Sequence, residues 1–337
     1  MLLYLTTFMA SFAGAVIFVP VSIILAKKFD VLDHPRARKV HRLALPRWGG
    51  IGIFLGIASG IAAAFYLFPT FRELLTYNYK GLLLSKQLRG IAFGATAAVI
   101  TGAIDDKKNI RAATKLLAQI IAAYVAMDFG VRIFGLTIPF YKTVAFPQIL
   151  QQIVTVIWII GFMNTINLAD GLDGLAAGIV AIAAASFFAV SVILSKGANA
   201  DLARQLTLSA VMSLGVAGAA VGFLVYNFPP ARVFMGDSGA LMLGFMLAAI
   251  SATGTLKSTA FLSLLIPITV VALPILDVCL SIFRRWRKGV KLSAPDKEHI
   301  HHKFLGFGWT QREVVLLMYV VTLILANLTV ILTIIRK

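Results

Sequence analysis

Apolar runs long enough to cross a bilayer recur along this chain, and the polar residues between them gather into a few short clusters. At 1.5 Å per residue, a helix needs about 20 residues to span a hydrocarbon layer of about 30 Å. On that criterion candidate spans fall at about 3–26, 48–68, 88–104, 112–128, 148–162, 175–195, 206–225, 239–253, 259–281 and 313–334. The fifth and eighth are short, so either their ends lie further out or they are helices buried against neighbours. The expected fold is therefore all-α, a polytopic membrane helix bundle of about 10 (10–11) transmembrane helices. No stretch is long enough to form a separate soluble domain and no repeat stands out, so 1–337 reads as one integral-membrane domain. The first apolar run lacks a basic leading segment and exceeds a signal-peptide core, which reads as a retained span.

Composition agrees: 59% of residues are hydrophobic and 13% charged, against roughly 25% charged in soluble domains. A net charge of +17 raises nucleic acid as a partner, but the distribution points to no nucleic acid and to anionic membrane lipids instead. The connections 27–47, 105–111, 163–174, 226–238 and 282–312, with Lys115 at their edge, hold 20 of the 31 Lys and Arg residues. The positive-inside rule makes these the cytoplasmic loops, with both termini outside. That rule does not ask acids to follow, yet 11 of the 14 Asp and Glu residues, and all five His, fall on the same side. Any chemistry is expected there. Cys279 is the one cysteine, which leaves neither a disulfide framework nor a Cys metal site.

Four clusters carry the candidate chemistry. In GAIDDKKNIRAATK, adjacent Asp105 and Asp106 repel each other unless a cation lies close, and Lys107, Lys108, Arg111 and Lys115 follow. Oxygen ligands of this kind suit Mg²⁺, commonly held by one or two carboxylates plus substrate phosphates. In NTINLADGLDGLAAG, Asp170 and Asp173 share a face if the segment is helical, and Asp173 is alternatively an N-cap for the sixth span. Asn164 and Asn167 are available there to a ligand or a neighbouring helix. In YNFPPARVFMGDSGALMLG, Asp237 and Ser238 precede an apolar run, as an N-cap or as groups organising a phosphate or metal. The stretch SAPDKEHIHHKF brings His299, His301 and His302 together without a nearby cysteine, so contacts to phosphate or uridine oxygens suit them better than zinc. Basic DHPRARKVHRLALPRWGG, with Arg36, Arg38, Lys39, His41 and Arg42, and RRWRKG, with Arg284, Arg285, Arg287 and Lys288, fit anionic headgroups or substrate. Asp277 is a further acid at the inner end of the ninth span, within reach of Arg284 or Arg285. Walker A and dinucleotide-binding fingerprints are absent.

Taken in order over about residues 33–308, these motifs resemble the polyprenyl-phosphate N-acetylhexosamine-1-phosphate transferases of bacterial envelope synthesis, glycosyltransferase family 4. The family is related to the phospho-MurNAc-pentapeptide translocase of peptidoglycan synthesis. The resemblance implies transfer of GlcNAc-1-phosphate from UDP-GlcNAc to undecaprenyl phosphate, with release of UMP, dependent on Mg²⁺ or in its place Mn²⁺. It implies catalytic roles for Asp105, Asp106, Lys115, Asp170, Asp173 and Asp237, with Asp237, Asp105, Asp106 and Asp173 as metal ligands. It implies substrate contacts from Asn164, Asn167, Asn227, Arg232, His299, His301, His302, Lys39, His41 and Arg42. The form HIHH, where the peptidoglycan translocase has three consecutive histidines, favours UDP-GlcNAc by analogy. A homodimer is compatible with the resemblance. The product would enter teichoic acid, O-antigen or a similar glycopolymer. From another class, a transporter of lipid-linked sugar or anionic solute would need access from both faces, which the one-sided acids oppose.

Overall fold

A computed structural model describes residues 1–34, 44–79, 82–137, 143–254, 276, 287, 304 and 307–335. Ten helices stand among the described residues: α1 (Leu2–Lys28), α2 (Gly49–Leu67), α3 (Pro69–Thr76), α4 (Leu84–Lys108), α5 (Ala112–Asp128), α6 (Gln148–Ala169), α7 (Leu175–Ser195), α8 (Ala200–Asn227), α9 (Gly236–Gly254) and α10 (Gln311–Ile335). Eight are long and apolar enough to cross a membrane; α5, at 17 residues, is just shorter, and α3 is a short connector. Nine of the ten expected spans coincide with helices, and the span at 259–281 lies almost wholly outside the described residues. Three short antiparallel strand pairs, Leu32–Asp33 with Leu45–Pro46, Asn78–Tyr79 with Leu82–Leu83 and Gly135–Thr137 with Thr143–Ala145, sit in connections and do not alter the helical class.

Both short spans are longer in the structure. The fifth had its end misplaced: α6 runs on to Ala169, because Asn164 and Asn167 are helical rather than the start of a loop. The eighth is also longer than expected, 19 residues from Gly236 to Gly254, and it is enclosed as well. Helix α9 is apolar on every side, and 94% of its most apolar window is buried, as expected of a helix at the centre of a bundle. It packs against α2, α4, α6, α7 and α8. The outer helices show the complementary pattern. Leu5, Met9, Ile17 and Ile24 of α1, and Leu117, Ile121 and Tyr124 of α5, are exposed apolar side chains; in a bilayer these face lipid.

Close approach to α9 depends on small residues, because helices in lipid associate largely through packing. A Cβ on Gly50 of α2 would stand 2.0 Å from the Gly239 amide nitrogen, and one on Gly102 of α4 would stand 2.3 Å from the Asp237 carbonyl. Neither backbone can yield without moving the start of α9. Gly50→Ala is therefore expected to cost about 1–3 kcal/mol or more through overpacking. Gly161→Ala, on α6 with nothing within 4 Å of the added carbon, is the control and should be neutral or slightly stabilising. Melting temperatures of the two variants in detergent, compared with the unsubstituted chain, check this.

Candidate active site

The first turn of α9 is the point on which the site is built. Two backbone hydrogen bonds, from Gly49 N–H to the Phe234 carbonyl (3.1 Å) and from Gly50 N–H to the Met235 carbonyl (2.9 Å), hold the segment before α9 against the start of α2. A third, from Phe234 N–H to the Pro46 carbonyl (2.8 Å), ties it to the strand before α2. The first N–H groups of a helix lack intrahelical partners. Here they find one on another helix. Asp106, at the end of α4, accepts from the Asp237 amide at 2.9 Å and from the Ser238 amide at 3.2 Å. The Arg47 guanidinium lies 3.9 Å from the same carboxylate. Of the two readings of Asp237, N-cap or phosphate- and metal-organising group, the N-cap one fails: the residue lies inside the first turn, and the capping carboxylate comes from α4.

One residue away, Asp105 faces a different partner. Lys115 of α5 sits between Asp105, at 3.0 Å, and Asp237, with which it makes a short ion pair. The ammonium also donates to Asn167 Oδ1 at 3.3 Å, and Asn167 Nδ2 donates to Asp237 Oδ1 at 2.8 Å. Asp105 Oδ1 accepts from the Ile110 amide at 2.8 Å, which closes the α4–α5 turn. Four helices, α4, α5, α6 and α9, thus contribute one side chain each to a single polar cluster. Side-chain exposures of 17%, 14% and 21% for Lys115, Asp105 and Asp237 leave it open to a small polar ligand.

The turn 170–174 forms the adjoining wall. It is not helical, so Asp170 and Asp173 do not share a helix face as their spacing had suggested. Nor does Asp173 cap α7: that position is Gly174, with φ +74°, while Asp173 Oδ2 accepts from the Ala231 amide at 3.0 Å. Burial, followed by the charges of Asp237 and Asp106, pushes the Asp170 carboxyl well above the usual carboxylate range. Asn227, at the end of α8, latches the turn: its Oδ1 accepts from the Gly174 amide (2.9 Å) and its Nδ2 donates to the Val233 carbonyl (2.8 Å). Tyr319 of α10 adds a hydroxyl donated to the Gly174 carbonyl at 2.5 Å.

The structure therefore brings Asp105, Lys115, Asn167 and Asp237 into direct contact, with Asp106, Asp170, Asp173 and Asn227 around them. It does not bring in every expected residue. Asn164 is engaged with Gln119 of α5 in a reciprocal amide pair, at 2.9 and 3.3 Å, and clamps α5 to α6. Arg232 is exposed, holding its loop through its backbone amide and the Tyr226 carbonyl. Glu313, counted among the one-sided acids, closes a capping box with Thr310 at the start of α10. Lys39, His41, Arg42, Asp277, His299, His301 and His302 lie outside the described residues, as do Arg36, Arg38, Arg284, Arg285 and Lys288. Reasoning from sequence missed Arg47, Gln119 and Tyr319. No local signal marks Gln119 or Tyr319, whereas Arg47, in PRWGG, was hidden among many basic neighbours.

Among the described residues, no group of three or more His, Cys, Asp and Glu side chains is arranged to hold a metal. The donor set nevertheless fits a hard cation: Asp105 and Asp237 offer carboxylate oxygens and Asn167 its Oδ1, the two carboxylates converge, and a cationic group already sits between them. Mg²⁺ needs no more than one or two protein carboxylates when phosphates supply the remaining ligands.

Comparison with known proteins adds chemistry to this geometry. The family model described as glycosyl transferase family 4 matches residues 88–255. Over 327 residues the chain is 35% identical to the probable undecaprenyl-phosphate N-acetylglucosaminyl 1-phosphate transferase of Bacillus subtilis (strain 168), covering 95% of this chain and 82% of that protein. It is 36% identical over 309 residues to the decaprenyl-phosphate N-acetylglucosaminephosphotransferase of Mycobacterium tuberculosis (strain ATCC 25618 / H37Rv), covering 88% and 74%. It is 28% identical over 309 residues to the undecaprenyl-phosphate alpha-N-acetylglucosaminyl 1-phosphate transferase of Escherichia coli (strain K12), covering 91% and 77%.

The latch makes its own prediction. Asn227→Leu removes both bonds and leaves the buried Gly174 N–H and Val233 carbonyl without partners. It should cost about 1–3 kcal/mol for each group that water cannot reach, read as a lower melting temperature and faster proteolysis between α6 and α7. An unchanged melting temperature would remove the latch role.

Proposed function

We propose how this chain, which belongs to glycosyl transferase family 4 and within it to the polyprenyl-phosphate N-acetylglucosamine-1-phosphate transferases, performs that family's reaction. It transfers GlcNAc-1-phosphate from UDP-GlcNAc to undecaprenyl phosphate. An oxygen of the lipid phosphate forms a bond to the sugar-linked phosphorus, the bond from that phosphorus to the bridging oxygen breaks, and UMP leaves. One pyrophosphate linkage is exchanged for another. The demand on the protein is to bring two anions together, so charge neutralisation and alignment matter more than covalent chemistry.

The observation that carries this reading is Lys115 held between Asp105 and Asp237 where four helix ends meet. Asp237 and Asp105, with Asn167 as a neutral oxygen donor, are the residues that would hold Mg²⁺, with Asp173 beside them. Bound there, the ion would screen phosphate charge and polarise the reacting P–O bonds. Lys115 supplies a positive charge to the incoming phosphates, and the carboxylates on either side fix its position. Asp105 orients the acceptor. A phosphate monoester is largely ionised at neutral pH, so the acceptor needs positioning more than a strong base. The basic 36–42 stretch and the His299, His301 and His302 group are assigned to the pyrophosphate and uridine on motif resemblance. The positive-inside excess orients the site to the cytoplasm of a bacterial cell membrane, and the product would open an envelope glycopolymer such as teichoic acid or O-antigen.

Relatives whose names specify N-acetylglucosamine favour UDP-GlcNAc over the pentapeptide-bearing nucleotide sugar. Purified protein given undecaprenyl phosphate, Mg²⁺ and each labelled UDP-sugar should release UMP with UDP-GlcNAc. Release only from UDP-MurNAc-pentapeptide would reassign the sugar, and sugar movement without UMP release would indicate a transporter. EDTA should abolish turnover and Mg²⁺ restore it. Asp237→Asn should lower kcat by about 100-fold or more, as for loss of a group that stabilises transition-state charge, and weaken Mg²⁺ dependence. A normal Mg²⁺ titration and turnover in that variant would remove Asp237 from the metal assignment.

A further inference from the structure

We propose that the adjacent aspartates divide their labour, and that Asp106 is a positioning residue that sets the metal-side carboxylate, Asp237, by capping the helix that carries it. The inference rests on the assignment of Asp237 to the transfer site. Neighbouring residues on a helix project about 100° apart, since one turn takes 3.6 residues, so an Asp-Asp pair cannot present both carboxylates to one ligand with equal ease. Here the division is complete. Asp105 turns to Lys115 and the open cluster. Asp106 has a fully buried side chain, and each of its oxygens is already accepting: Oδ1 from the Asp237 amide at 2.9 Å, and Oδ2 from the Ser238 amide at 3.2 Å.

A carboxylate with both oxygens committed to backbone amides has reduced capacity for a cation. It is well placed, however, to fix the Asp237 backbone, whose side chain reaches Lys115 and Asn167. Its negative charge also complements the positive end of the α9 dipole. Arg47, 3.9 Å away, balances that charge from the α2 side. The start of α9 is therefore held by α4 through Asp106 and by the α2 entry through Gly49 and Gly50. Asp106 is the one of these links that acts on the Asp237 amide itself. Such supporting groups typically change activity by about 10–100-fold when removed.

The test uses the full chain in detergent, with Asp106→Ala, Asp106→Asn, Asp106→Cys and Asp237→Cys. In Asp106→Ala, amide exchange over residues 234–241 should rise at least about 10-fold, while α1 and α7 keep their protection. In Asp106→Asn, which retains one accepting oxygen, the rise should be smaller. Turnover should fall about 10–100-fold in Asp106→Ala and less in Asp106→Asn, with KM for UDP-GlcNAc changing less than about 3-fold. A thiolate prefers a softer metal than Mg²⁺. Cd²⁺ should therefore restore activity to Asp237→Cys and leave Asp106→Cys unrescued. Cd²⁺ rescue of Asp106→Cys, or unchanged exchange over 234–241 in both Asp106→Ala and Asp106→Asn, would overturn the proposal. If Asp106→Ala fails to fold, Asp106→Asn decides through its exchange. If the unsubstituted chain releases no UMP, the transferase reading fails, while the exchange result still decides whether Asp106 secures α9.

Discussion

A helix enclosed on all sides begins with N–H groups that neither water nor lipid can satisfy, and this constraint organises the protein. Helix α9 is such a helix. Leaving its first amides bare would cost several kcal/mol for each group in an apolar setting. A serine or aspartate immediately before the helix is the usual remedy, but Met235 occupies that position, and the first turn is secured by Asp106 of α4 and by the α2 entry. The ends of α2, α4 and α9 must therefore lie together at one face. The acids cluster there because the helix ends do.

The cluster that results is one of unequal charges. Asp105 and Asp237 flank Lys115, Asp106 bonds to the start of α9 with Arg47 beside it, and Asp170 and Asp173 lie in the adjoining turn. Carboxylates this close keep their charge only when amides, an ammonium or a metal share it. Asp106 and Asp173 draw on backbone amides, and Asp105 and Asp237 draw on Lys115. Asp170 has no such partner among these bonds, and its carboxyl is correspondingly pushed toward the neutral form by burial. On the proposed assignment of this cluster to the transfer site, an excess of acid facing two anionic substrates would be self-defeating without a divalent cation. The same excess is reasonable if the ion arrives with the nucleotide's phosphates, as Mg²⁺ commonly does.

Hydropathy and motif order make much of this legible in the sequence. Spans were legible because lipid demands about 20 apolar residues from each crossing helix, and the site stretches were legible because charge is costly beside such runs. What escaped was the assignment of each polar residue to ligand or scaffold. Asn164 and Asn167 lie three apart and look equivalent in sequence, yet one clamps α5 through Gln119 and the other faces Asp237. Asp173 and Glu313 both precede or open an apolar run; Glu313 caps locally, whereas Asp173 bonds across to Ala231. Capping within one segment can be read from spacing. A cap donated from 131 residues away depends on helix packing, which no local window contains.

The same packing explains why the site sits at helix ends rather than within the bundle. Lys115, Asp105, Asn167 and Asp237 belong to four separate helices, so their mutual distances are set by interhelical contacts instead of by one rigid element. Rigid placement then has to come from the contacts themselves: the α4 cap on α9, the Asn164–Gln119 clamp between α5 and α6, and the Asn227 latch between α8 and the turn before α7. Each of these polar bonds joins a different pair of elements, and none repeats another's work. A cluster supported in this way can keep its polar groups fixed while its side chains stay partly open to a ligand.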